Sequence, residues 1–91
     1  MAVLIDFPVW PWRGRMWSHL VSDVSYDELH AFVAAELGIP RRAFQGDHYD
    51  VPADLYEIAV AAGARPVGSR ELLQRLLTAG LRLRKRGTGA G

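Results

Sequence analysis

Residues 41–50, Arg-Arg-Ala-Phe-Gln-Gly-Asp-His-Tyr-Asp, crowd reactive side chains into a run with neither helical nor strand periodicity. Loops held by rigid elements are where binding and catalytic groups collect. Asp47 and Asp50 flank His48, so either acid could orient the imidazole for general acid–base work, with His19 as a second catalytic candidate. Imidazole together with carboxylate is also a normal ligand set for zinc, manganese or iron. His19, His48, Asp50 and Asp6 are the candidate metal ligands, although neither His-x-x-x-His nor His-Glu-x-x-His occurs. Arg41 and Arg42 could neutralise a phosphate-containing substrate, with Tyr49 and Trp17 as further contacts. The alternative is structural: the acids and His48 form a hydrogen-bond network that only pins the loop.

Composition narrows the field. Ninety-one residues, 49% hydrophobic and 23% charged, predict one globular domain with a single core. Cysteine is absent, which excludes disulfides, thiolate zinc sites and cysteine nucleophiles. No apolar run is long enough to span a bilayer, and no charged segment precedes an apolar stretch at the start. A cytoplasmic protein is the expectation. The net charge is +1, but Arg82, Arg84, Lys85 and Arg86 crowd the end of the chain.

Several elements must position the candidate residues. Ala2 to Ile5 reads as a buried strand that delivers Asp6 at its carboxyl end, where α/β sheets place ligands; the simpler role for Asp6 is to cap the next turn. Residues 7–15 hold two prolines and a glycine, which predicts an irregular loop carrying Trp10 and Trp12. Alternation over Met16 to Asp23 predicts a second strand with Trp17, His19 and Val21 on one face. Ser25 and Glu28 form a capping box for a helix over 26–37, with Gly38 as its stop and His30 bordering its apolar stripe. A second helix is expected over 52–62, capped by Asp50, with Leu55, Ile58, Ala59 and Ala62 buried. Arg65 to Val67 reads as a short edge strand. Ser69 is then the cap of a helix over 70–79, whose buried face is Leu72, Leu73, Leu76 and Leu77. The expected fold is α/β: one domain over 1–86, with three to four short strands covered by three helices, and a Gly-rich tail over 87–91. All three histidines fall where they could converge on one end of that sheet.

Five segments occurring in order carry a resemblance: Val3 to Asp6, Gly14 to Leu20, Glu28 to Ala31, residues 41–50 and Ala62 to Val67. Together they resemble the bacterial and phage family called domain of unknown function 4031, over nearly the whole chain except the tail. The Asp-His-Tyr-Asp run after paired arginines is the most specific part. The resemblance implies a single domain and carries no activity with it.

Two kinds of function fit these residues. One is a metal-dependent hydrolase, nuclease-like, acting on a phosphate-containing substrate through zinc or manganese. The other is an accessory module without catalysis, binding protein or nucleic acid through Arg41, Arg42, the loop aromatics and the basic tail. The alternating apolar and basic residues from Leu81 to Arg86 predict weak, salt-sensitive nucleic-acid binding by the tail.

Overall fold

The computed structural model describes residues 2–82, so the basic extension beyond Arg82 and the glycine-rich tail lie outside the described residues. The fold is built on one long strand, β3 (Arg15–Ser22). Leu20 has Ile5 beside it on one edge and Tyr49 on the other, while Trp17 has Trp10 and Pro52. Strands β1 (Val3–Ile5) and β2 (Trp10–Trp12) therefore run end to end along one edge of β3, and β4 (Tyr49–Pro52) runs along the other. All three pair antiparallel to β3, and β5 (Arg65–Pro66) joins parallel to β1, making a five-stranded mixed sheet.

The β2 strand corrects the expected irregular loop and brings the count to five rather than three to four. Pro11 sits opposite Met16 on an edge strand, where a residue lacking an N–H does least harm. The turn that closes the hairpin is Arg13-Gly14, with φ of 51° and 74°. Positive φ at both central residues is what a two-residue type I′ hairpin turn requires.

Helices cover both faces. Helix α1 (Tyr26–Phe32) starts at Ser25, whose hydroxyl accepts from the Glu28 N–H at 3.0 Å. It continues as a π-helical turn, Val33–Leu37, closed by the Gly38 N–H donating to the Val33 carbonyl at 2.9 Å. A 3-10 turn, Arg41–Ala43, follows. Helix α2 spans Ala53–Ala61 and α3 spans Ser69–Thr78. Alternation along the strands divides the core. Ile5, Leu20, Tyr49 and Val51 pack with Leu29, Val33 and Ala59 from α1, its π-helical turn and α2. Leu4 and Val21 face the other way, against Leu72 and Leu76 of α3. Each fully buried aliphatic side chain stabilises by about 1.5–3 kcal/mol.

Several local expectations change. Pro52 ends β4 and is itself the cap of α2, so Asp50 lies in a strand and caps nothing. Gly68 is the cap of α3; Ser69 is its first residue, and its hydroxyl is engaged elsewhere. Ile58, Leu73 and Leu77 are exposed, because each helix buries a narrower stripe than its apolar residues allow. Arg75 approaches Asp23 at 3.8 Å, tying α3 to the end of β3. No described helix is long and apolar enough to cross a membrane.

Candidate metal centre

The centre begins where β1 leaves the ladder. Pairing stops at Ile5–Leu20 and resumes at Trp10–Trp17, so residues 6–9 stand opposite only Ser18 and His19. This double insertion removes a backbone acceptor, and the Asp6 side chain replaces it. The His19 N–H donates to Asp6 Oδ1 at 2.6 Å, while the Asp6 N–H donates to the His19 carbonyl at 3.1 Å. The other carboxylate oxygen, Oδ2, lies 2.8 Å from His19 Nδ1 and accepts from the Ser69 hydroxyl at 3.1 Å. Asp6 is 1% exposed, and a buried carboxylate persists only with partners of this kind. Its role is thus wider than capping a turn.

A second acid–imidazole pair faces the first. Gly46, at φ 94°, lets the chain bend into Asp47. Asp47 Oδ1 lies 2.7 Å from His48 Nδ1, and its Oδ2 lies 3.6 Å from a guanidinium nitrogen of Arg82. On the far side of the ring, His48 Nε2 is 3.1 Å from Asp50 Oδ1. That contact is an ion-pair approach, and Asp50 Oδ1 is otherwise a buried oxygen without a further hydrogen bond among the described residues. Asp50 is His19's cross-strand neighbour in the β3–β4 register, which brings the second strand to the acid–histidine loop.

His19, His48 and Asp50 each offer a ligand atom, and these atoms lie within 4.8 Å of one another. Both imidazoles use Nδ1 on a carboxylate, and Nε2 of His48 faces Asp50. The rings meet edge to face with centroids 5.3 Å apart, and Trp10 stacks on His19 at 4.9 Å. Burial lowers the His48 pKa, but Asp50 and Asp47 outweigh it and hold the imidazole above its ordinary value.

A cavity of about 360 Å³ opens over the pair. Asp6, His19, His48, Ser69 and Arg82 supply its polar lining, and Val21, Leu72 and Leu76 are among its apolar walls. The remaining candidates lie elsewhere. Tyr49 is buried under the α1–α2 face with its hydroxyl 2.8 Å from His30 Nδ1. His30 packs edge-on against Phe44 at 4.6 Å, so it does not converge with the other two histidines. Burial and then the charge of Arg41 lower the His30 pKa. Arg41 and Arg42 are exposed on the 3-10 turn and do not line the cavity. Trp17 donates its indole N–H to the Trp12 carbonyl at 2.8 Å and lines a neighbouring groove.

Three contributors escaped the sequence. Ser69 read as a cap, Arg82 read as tail, and Trp10 read as loop. Only Trp10 carried a usable signal, since Arg13-Gly14 marks a hairpin that would pair it with β3.

No curated protein and no solved structure matches the chain. The family described as Protein of unknown function (DUF4031) matches residues 3–79, and the chain belongs to that family.

Proposed function

We propose that the chain is a divalent-metal hydrolase acting on a phosphate-containing substrate, with the ion held by His19, His48 and Asp50. The carrying observation is the paired arrangement of Asp6 with His19 and Asp47 with His48 around Asp50. Metal-binding histidines characteristically give their second nitrogen to a carboxylate, which fixes ring orientation and raises basicity. Asp50 Oδ1, buried beside His48 Nε2 at 3.1 Å, has room in its bonding for a cation as well. Two imidazoles and one carboxylate suit zinc with an open position, or manganese or iron in a facial triad. A bound ion would supply Lewis acidity toward a phosphoryl oxygen and lower the pKa of a coordinated water so that hydroxide is available as nucleophile. The chain's own residues do the rest. Asp6 and Asp47 hold the imidazoles in place, Arg82 supplies positive charge at the edge of the cavity, and Leu72 and Leu76 help to exclude water.

Elemental analysis and thermal shift with zinc, manganese and a chelator test the reading. One bound ion per chain is expected, with metal-dependent stabilisation lost in His19→Ala and His48→Ala and hydrolysis of a chromogenic phosphodiester lost with it. A melting temperature indifferent to all three additions removes the metal reading.

A further inference from the structure

We propose that the groove beside the centre is a base-stacking subsite for single-stranded nucleic acid, so that the strand's phosphodiester backbone is the substrate. The catalytic half of this rests on the hydrolase reading; the binding half does not.

The groove holds about 330 Å³ and is lined by Trp12, Trp17, Ala43, Gln45 and Asp50, among others. Asp50 also belongs to the candidate metal triad, so groove and centre are contiguous. Aromatic rings connect them as well: Trp12 lies 5.4 Å from Trp17, Trp17 lies 6.2 Å from Trp10, and Trp10 stacks on His19. Trp12, at the outer end of this row, is 48% exposed. Trp12 and Trp17 together form an aromatic wall of this groove. Flat indole faces accept any base, because every base has a π-face.

Charge selects the partner. Arg13 lies over the Trp12 ring at 4.8 Å, and exposed Arg15 follows in the same hairpin. Arg15 approaches Asp54 at 3.7 Å, but both side chains are more than half exposed, so water weakens the pair. Arg41 and Arg42 stand exposed on the turn that contributes Ala43 to the groove. Guanidinium groups on both the hairpin and the turn suit successive phosphates of a strand whose bases enter between them. A proline-rich peptide also fits aromatic grooves, but it would bring no phosphates to these guanidinium groups.

The test is titration of the full chain with a fluorescent thymidine octamer in excess chelator, so that binding is read without metal. Saturable, salt-sensitive binding is expected. Trp12→Ala should weaken it about ten-fold, and Trp12→Phe should restore most of the loss. An octamer of abasic residues, equal in phosphates, should bind the unaltered chain no better than the thymidine octamer binds Trp12→Ala. Photocrosslinking of a bromouracil octamer to the unaltered chain should label Trp12 or Trp17, and it decides the matter if Trp12→Ala fails to fold. Equal affinity of Trp12→Ala and the unaltered chain, equal affinity for the abasic strand, or crosslinks elsewhere would overturn the subsite. Tighter binding of a proline-rich peptide would assign the groove to protein, and thymidine monophosphate binding as tightly as the octamer would assign it to free nucleotides; either overturns the strand. Binding without cleavage under added zinc or manganese overturns the catalytic half alone.

Discussion

Asp47 and Asp6 make the same contact, a carboxylate oxygen on the Nδ1 of a histidine that faces Asp50. Neither is needed to touch a metal ion for metal affinity to depend on it. Asp47→Asn keeps an oxygen near His48 but withdraws the charge that orients and enriches the ring. Isothermal titration should show zinc affinity falling about 10–100-fold while the fold persists. The protonation of His48 gives a second expectation. Its folded-state pKa lies above the unfolded value near 6.5, so the imidazolium's pairing with Asp47 and Asp50 stabilises fully below that pH. The contribution fades as pH rises through the raised folded value. Metal-free protein should therefore lose thermal stability across that window. Zinc affinity should rise across the same window, since only neutral imidazole ligates. In Asp47→Asn the window should contract toward 6.5. Melting curves and titrations at matched pH check both slopes; parallel slopes would mean that His48 is not the titrating ligand.

At the level of elements, the hairpin β2–β3 depends on Arg13-Gly14 and on the edge position of Pro11. An added Cβ at Gly14 meets nothing within 4 Å, so the cost of Gly14→Ala is backbone strain alone. About 1 kcal/mol of lost stability is expected by denaturant unfolding. Arg13→Asn should instead be neutral or mildly stabilising, because asparagine tolerates positive φ and Asn-Gly favours this turn. An equal loss in both variants would show that the turn is not type I′. The same hairpin explains what was hidden in the sequence. Proline reads locally as a breaker, yet its harm depends on whether its missing N–H faces a partner, which is a property of the sheet. Ser25 was legible because its cap is made within four residues, from the Glu28 N–H. Ser69 was not, because its hydroxyl goes to Asp6, sixty-three positions away. The central strand, the second and third helices and the glycine stops rest on short-range patterns and stand within one or two residues of expectation, while the first helix keeps its expected ends but turns π-helical after Phe32.

At the scale of the molecule, the two faces of the sheet divide the labour. The α1–α2 side holds the larger buried cluster, while α3 is anchored chiefly through Leu72 and Leu76 on Leu4 and Val21. The candidate ligands His19 and Asp50 lie on paired strands, and His48 immediately precedes β4, so none of them is on α3. Long-range pairing of this kind is invisible to periodicity, which is why the sequence suggested His19, His48 and His30 alike and the fold kept only the first two together. A physical separation of stability follows. Leu76→Ala removes a buried side chain from the smaller cluster and should cost about 2–5 kcal/mol, concentrated in α3. An ion on His19, His48 and Asp50 would tie β3 and β4 to each other directly and reach α3 only through the Ser69 hydroxyl on Asp6. Hydrogen exchange of Leu76→Ala should show residues 69–78 opening before residues 15–22 and 49–52. Added zinc should raise protection in the two strands more than in α3, because linkage strengthens the states that hold the ligand set together and α3 meets that set only at Ser69. Protection rising uniformly, helix included, would mean that the helix and the centre form one cooperative unit. Protection unchanged in the strands would place the ion, if bound, away from His19, His48 and Asp50.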